Sequence, residues 1–409
     1  MRLLLCHNYY QQAGGEDQVF ADEAQLLKSH GHDVIKYSVH NDAIDDMNHW
    51  DVALRTLWNQ TSYREIRGLM RRERPDLVHF TNTFPLISPA AYYAARSEVV
   101  PVVQSLHNFR MLCSAGTFFR DQRPCEDCLG RAVPWPALLH GCYRSSRLAT
   151  GVVTTLTIMQ RLLRTWQNSV DRYIALSHFS AKKFVAGGVP AEKIAVKRNF
   201  ISPDPGPRNG MGKYAIFVGR LAPEKGLDTL LEAWDQLNDV MPLKILGSGP
   251  LGTMVRERAA HKRAIEVLGR QTIDEVVRYV GNATCLVLPS GWYENCPKTI
   301  LEAFAVGTPV VASRLGAQAE MVDHERTGLL FEPRSGSDLA TQIRRLASDV
   351  SLCKRMRTDA RREYEDHYTE ETNYRQLMDI YRQACHSKDL SAAAREPVSP
   401  PTNRASPAL

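Results

Sequence analysis

The sequence has no apolar run approaching the roughly eighteen residues that a bilayer-crossing helix needs, which excludes a helical membrane span. Its start, Met1-Arg2-Leu3-Leu4-Leu5-Cys6-His7-Asn8, has an apolar stretch too short for a signal peptide and reads as a buried first strand. No charge of one sign dominates. Lys and Arg number 51 against 45 Asp and Glu, for a net +6, which suits an anionic small ligand or an acidic surface and makes no case for nucleic acid. Internal repeats are absent too. A content of 44% hydrophobic and 23% charged residues excludes collagen, coiled coil and wholesale disorder. What remains is a globular chain of 409 residues, enough for two or three domains that each bury a core without disulfide or metal. Nine cysteines, an odd number behind no export signal, point to reduced thiols and a cytoplasmic setting.

Short apolar runs alternate with longer helical patterns, the mark of parallel sheets covered by helices. Strands are expected at 2–6, 33–37, 77–80, 100–105 and 172–176, and again at 214–218, 243–246, 265–268, 285–289 and 310–312. Between the two series, 201–213 is dense in Pro, Gly and Asp without periodicity and reads as a linker. The expected organisation is α/β, two Rossmann-like doubly wound domains facing across a cleft. The first spans 1–200, with a cysteine-bearing insertion near 108–150, and the second spans 214–358. Helices at 359–386 are expected to cross back to the first domain, and a Pro- and Ser-rich tail at 387–409 to be disordered.

In such sheets ligands bind beyond the carboxyl ends of the strands. After 214–218 comes Gly219-Arg220-Leu221-Ala222-Pro223-Glu224-Lys225-Gly226, two cations in a glycine-bounded loop before a helix, suited to phosphate or, equally, to solvent. After 243–246 comes the tight turn Gly247-Ser248-Gly249-Pro250. After 285–289 comes Ser290-Gly291-Trp292-Tyr293-Glu294-Asn295-Cys296-Pro297-Lys298, with Pro297 placed to begin a helix whose free amides face the cleft. Glu294 precedes that helix and Glu302 lies on it. Two carboxylates flanking a phosphate-binding helix start can accept hydrogen bonds from sugar hydroxyls.

This Glu-x7-Glu pattern, followed by Ala303-Phe304-Ala305-Val306-Gly307-Thr308-Pro309, resembles the retaining, GT-B-fold family 4 glycosyltransferases (glycosyl transferases group 1) of bacterial surface-polysaccharide type. The resemblance extends to Gly316-Ala317-Gln318-Ala319-Glu320 and Thr327-Gly328-Leu329-Leu330, and so covers nearly the whole second half. It implies transfer of a sugar from a UDP- or GDP-linked donor to a glycan or lipid-linked acceptor, with no catalytic cofactor. In keeping with that, the chain has no Asp-x-Asp, the element by which metal-dependent sugar transferases hold a divalent ion. By the same resemblance, Arg220 and Lys225 hold the diphosphate, Glu302 the ribose and Glu294 the transferred sugar. Gly219, Gly249 and the backbone from Asn295 through Cys296 and Pro297 to Lys298 assist, and Arg270 stands near the base. In the first half, Gly15 in Ala13-Gly14-Gly15-Glu16 matches the loop approaching donor or acceptor, and His107 the histidine beside the donor sugar. Asn108 replaces a common Asp, and Ser177-His178-Phe179-Ser180 matches a turn at the cleft floor. The competing readings are a GT-B-fold epimerase or phosphorylase and a non-catalytic nucleotide-sugar-binding module.

Two further features stand apart. Cys113, Cys125, Cys128 and Cys142, with one Cys-x2-Cys, have the makings of a structural zinc site or are simply small reduced side chains. Arg64, Arg67, Arg71 and Arg74 recur on one helix face, and Arg144, Arg147, Arg161 and Arg164 lie in or near an amphipathic stretch at 154–166. Such faces suit peripheral contact with an anionic membrane at the inner face, or plain solvation.

Overall fold

The computed structural model describes residues 1–12, 14–208, 212–237 and 240–393. Ala13, part of the expected linker (209–211) and most of the expected tail (394–409) lie outside the described residues. In chain order the first-half strands are β1 (Arg2–Tyr9), β2 (Asp33–His40), β3 (Leu77–Asn82) and β4 (Val102–Leu106), then a small antiparallel hairpin of β5 (Phe119–Arg120) and β6 (Arg123–Pro124), then β7 (Arg172–Ala175) and β8 (Ile194–Val196). The second half contributes β9 (Ala215–Val218), β10 (Leu243–Leu246), β11 (Ile265–Gly269), β12 (Cys285–Leu288), β13 (Val310–Ser313) and β14 (Gly328–Phe331).

Two six-stranded sheets result, ordered β2-β1-β3-β4-β7-β8 and β11-β10-β9-β12-β13-β14, and every pairing within them is parallel. Central strands such as β3, β4 and β12 are buried at every position, as parallel strands covered on both faces must be. Alternation divides each core. Ala215 and Phe217 of β9 pack on one face with Ile245 and Val287, while Ile216 packs on the other with Leu246, Leu286 and Phe304. In the second sheet the chain leaves β9 toward β10 on one side and reaches β12 on the other. That reversal opens a crevice between the carboxyl ends of β9 and β12.

The helices expected at 359–386 are Val350–His367, which starts earlier, and Glu370–Ala393. They separate where Tyr368 is buried and the Thr369 hydroxyl accepts from the Thr372 amide, a side-chain cap that starts the second helix. The expected tail is therefore helical from 387 to 393. Leu377, Ile380, Tyr381 and Ala384 form the apolar stripe of this last helix and pack against Leu3, Leu5, Phe20, Leu77 and Ile174 of the first half. The chain thus passes between the halves twice, side by side. The Ile201 amide donates to the Tyr368 carbonyl (3.3 Å), the Ser202 hydroxyl to Glu370 (2.7 Å) and Asn373 to the Arg198 carbonyl (2.7 Å). The amphipathic stretch at 154–166 also divides, into the helix Arg147–Leu162 and the turn Thr165–Asn168, because Arg164 adopts a left-handed conformation (φ 50°).

Candidate active site in the interdomain cleft

At the crevice between β9 and β12 lies a cavity of about 330 Å3 lined from both halves: Gly15, Glu16, His107 and Asn108 on one side, Gly219, Lys225 and residues 292–299 on the other. Close backbone packing fixes the second-half wall. A side chain at Gly247 (φ 139°) would put its Cβ 1.9 Å from the Gly219 carbonyl, and one at Gly226 (φ 71°) 1.9 Å from the Pro289 carbonyl. Only glycine permits both approaches. The Leu221 amide then donates to the Ser248 carbonyl at 2.9 Å, and the Gly291 amide to the Glu224 carbonyl at 2.9 Å, tying the loops after β9, β10 and β12 together.

This frame delivers Lys225, at the end of a single helical turn, to Glu294. The ammonium Nζ donates to Glu294 Oε1 at 2.7 Å and lies 5.4 Å over the Trp292 ring, while the Ser290 hydroxyl donates to the same oxygen at 2.8 Å. Burial alone would push the Glu294 carboxyl pKa up. The Lys225 charge, its hydrogen bond and those of Trp292 and Ser290 outweigh burial and hold the pKa below the ordinary value, so the group is ionised at neutral pH. Pro297 caps the helix Lys298–Ala305, one residue earlier than its expected place at the first helical position. The start of that helix opens on the cavity. Lys298 reaches across to Asp22 of the first half (2.8 Å). The Glu302 pKa is raised, chiefly by burial, against the pull of Lys298.

From the first half, His107 stands at the end of β4. Burial lowers its pKa to about 3, Lys197, His79 and His7 push the same way, and Glu23 opposes them. The imidazole is neutral at pH 7, with Nε2 buried and unpartnered, so it meets a ligand as an uncharged ring. Its carbonyl accepts from Asn295 Nδ2 at 2.7 Å, another bond between the halves. Beneath it, Lys197 Nζ donates to Glu23 Oε1 (2.7 Å) and Asn373 Oδ1 (3.1 Å), with both ionic side chains almost completely buried.

Of the residues nominated from sequence, Gly15, His107, Gly219, Lys225, Glu294, Asn295, Cys296, Pro297 and Lys298 line this cavity, whereas Arg220, Gly249, Arg270 and Glu302 do not. Arg220 pairs with Glu224 and its side chain is 56% exposed. Gly249 packs beneath the loop, where a Cβ would fall 2.5 Å from the Leu221 carbonyl. Arg270 is exposed just beyond β11, the edge strand of its sheet. Three contributors went unnominated: Glu16, Ser290 and Glu126. The Glu126 carboxylate accepts from Tyr293 (2.6 Å) and Lys183 (2.6 Å), bringing the cysteine-bearing insertion against the loop that follows β12. Its place inside the Cys-x2-Cys was the available signal.

Cys113, Cys125, Cys128 and Cys142 are free thiols. Among the described residues no three His, Cys, Asp or Glu side chains are placed to hold a metal ion. The thiols do share a neighbourhood, since Cys113, Cys125 and Cys142 add to the burial that raises the Cys128 pKa to about 11. The Arg120 guanidinium, salt-bridged to Asp121 and Asp127, lies near them and works against the burial that raises the Cys125 and Cys142 pKa values. The basic helix also changes meaning, because Arg67 and Arg71 both bind Glu98 and part of that face is neutralised.

Two family models match the chain: Glycosyltransferase Family 4 over residues 13–205 and Glycosyl transferases group 1 over residues 200–363. The chain is 29% identical over 223 residues to the amylovoran biosynthesis glycosyltransferase AmsK of Erwinia amylovora, covering 51% of this chain and 55% of that protein. It is 30% identical over 189 residues to the putative colanic acid biosynthesis glycosyltransferase WcaL of Escherichia coli K12, covering 42% and 47%. The aligned part thus spans about half the length of these relatives. Among solved structures, Anabaena Alr3699/HepE in complex with UDP superposes with a TM-score of 0.67 at 16% identity, over 93% of this chain and 100% of that one. Sucrose-phosphate synthase from Thermosynechococcus elongatus gives 0.69 at 16% identity, over 96% and 100%. At that identity the likeness is one of fold: two parallel-sheet lobes in the GT-B arrangement.

Proposed function

Since the chain belongs to the glycosyltransferase family that joins a family 4 half to a group 1 half, we propose that it moves a sugar from a nucleotide-diphosphate donor to a glycan or lipid-linked acceptor. The transfer retains anomeric configuration and needs no metal. The observation that carries this reading is the ionised Glu294 held by Lys225 and Ser290 beside an open helix start, at the crevice between β9 and β12. Lys225 and the helix amides are positioned to take up the charge that grows on a departing diphosphate. Arg220, whose side chain is 56% exposed, joins them by leaving Glu224. Glu294, ionised and acceptor-only, receives hydroxyl hydrogen bonds from the transferred sugar. It is already engaged by Lys225 and Ser290, which fits attack from the leaving-group face, with the phosphate accepting the acceptor's proton and no protein nucleophile. Glu302 takes the ribose hydroxyls.

A ligand bound only by the folded state raises its stability, by about 2.7 kcal/mol at a hundredfold excess over Kd. UDP- or GDP-sugars are therefore expected to raise the melting temperature, Glu302→Ala to blunt that rise, and EDTA to leave transfer intact. Failure of every nucleotide sugar to stabilise the protein would defeat the proposal.

The acceptor is argued from a surface of the first half. The helices His49–Leu57, Trp135–His140 and Arg147–Leu162 pack together and leave Trp50, Leu54, Trp135, Leu139, Leu148 and Leu162 exposed, with Arg144, Arg147 and Arg164 exposed nearby. Exposed tryptophans and leucines beside arginines suit the interface of an anionic bilayer, where a lipid-linked acceptor resides. Flotation with vesicles containing phosphatidylglycerol is expected to carry the protein upward at low salt, and Trp50→Ser/Trp135→Ser to reduce the floated fraction severalfold. Equal flotation of the variant would remove this surface from consideration.

A further inference from the structure

Glu16 is the second residue of the helix Gly15–Ser29, and its neighbour Asp17 is fully engaged within the first half. Asp17 Oδ2 accepts from the Gly14 amide at 2.8 Å, and Oδ1 lies 2.8 Å from His7 Nε2. Glu16 lines the cavity instead. Its Oε2 accepts from the Tyr10 hydroxyl at 2.9 Å, and the Tyr10 oxygen in turn accepts from Asn108 Nδ2 at 3.2 Å. The other carboxyl oxygen, Oε1, is buried without a hydrogen-bond partner. A buried, unpaired carboxylate oxygen is costly, and protonation lowers that cost by removing the charge, leaving a hydroxyl donor that an incoming acceptor would satisfy.

We propose that Glu16 serves as an uncharged carboxylic acid whose Oε1 hydroxyl donates a hydrogen bond to a phosphate oxygen of the bound nucleotide sugar. The assignment rests on the sugar-transferase reading of the cleft. Four charged or titratable neighbours from the first half bear on it. Burial is the largest influence and raises the Glu16 pKa to about 8. Asp17 raises it further, while the Tyr10 and Asn108 hydrogen bonds and the Arg110 charge lower it without prevailing. The neutral His107 ring lines the same cavity, and from the second half Lys225 and Glu294 face it as a mutual ion pair. A diphosphate arriving beside Lys225 favours the protonated form still more, since a carboxylate there would repel it. The donated hydrogen bond then strengthens as charge develops on the leaving group.

The test compares wild type, E16Q and E16A by calorimetric titration with UDP and with GDP at pH 7.0 and 9.5, together with transfer rates. Ionising Glu16 turns a donor into a repulsive charge, so wild-type affinity for the preferred nucleotide is expected to fall about tenfold between the two pH values. E16Q presents an amide donor in place of Oε1–H. Its affinity is expected to match wild type at pH 7.0 and to lose that pH dependence, while E16A binds about tenfold more weakly at pH 7.0. Three results would overturn the proposal: a wild-type affinity that does not change with pH, an E16Q as weak as E16A, or an E16Q that binds normally and no longer transfers, which makes Glu16 a base. A wild type that binds neither nucleotide at pH 7.0 overturns the transferase reading itself, apart from anything Glu16 does.

Discussion

Lys225→Ala is expected to lower kcat/KM by about two to three orders of magnitude, the loss typical of removing one preorganised charge from a developing oxyanion. The structure gives this lysine two tasks, and they must be separated. It faces the cavity proposed to take the diphosphate, and it also neutralises Glu294, which is buried at 6% exposure. Without Lys225, burial of Glu294 is opposed only by the Trp292 and Ser290 side chains, and its pKa rises toward protonation. If neutralising Glu294 were the whole role, Lys225→Ala/Glu294→Gln would restore activity, since an amide needs no counter-charge. If Lys225 binds phosphate, the double variant stays as slow as the single one or slower. Steady-state kinetics of the three variants decide it, and recovery to within tenfold of wild type would show that Lys225 is a partner for Glu294 and nothing more.

Lys197→Met is expected to destabilise the folded protein by about 3–5 kcal/mol, the usual consequence of stranding one member of a buried ion pair. Glu23 would be left at 3% exposure with its principal partner gone, to bear an unpaired charge or be protonated at a cost. Glu23→Gln/Lys197→Met should recover much of the loss, because an apolar and a neutral group replace the pair without an orphaned charge. Urea midpoints measure both. The pH dependence has a definite sign. The Glu23 pKa is raised by burial and lowered more by Lys197 and His79, so it lies below its unfolded value. The pair therefore contributes fully above about pH 4.3, the ordinary glutamate value, and its contribution disappears as the pH falls through the depressed pKa. A Lys197→Met protein with an unchanged midpoint would mean that Glu23 finds another counter-charge.

The sheets were legible because buried parallel strands are continuous apolar runs. Those of β9, β10 and β12 stand out as Ile-Phe-Val, Leu-Lys-Ile-Leu and Cys-Leu-Val-Leu between polar loops. β8 escaped notice because Ile194-Ala195-Val196 is three residues between Lys193 and Lys197, too short to register as a run. β14 was quoted only within a motif. In the site, Lys225, Glu294 and the helix start were readable from glycine spacing and the Glu-x7-Glu pattern. The direction of Arg220 was not, because a neighbouring Glu224 competes for it and sequence cannot weigh an ion pair four residues away against an absent ligand. Glu16 was hidden for a similar reason. Its environment is built by Tyr10 and by Asn108, residues that meet only when β1 and β4 enter the same sheet.

The two neighbouring passages of the chain, joined through Ile201–Tyr368, Ser202–Glu370 and Arg198–Asn373, have a mechanical consequence. A single tether would let one lobe swivel on the other, whereas paired tethers define an axle and leave one soft motion, a swing that widens the cleft mouth. That swing must part Lys298 from Asp22, Asn295 from the His107 carbonyl and Tyr293 from Glu126, all of them polar contacts that water can replace. Tyr293 also packs its ring against Phe179 and Phe118 of the first half, so opening the cleft separates apolar as well as polar contacts.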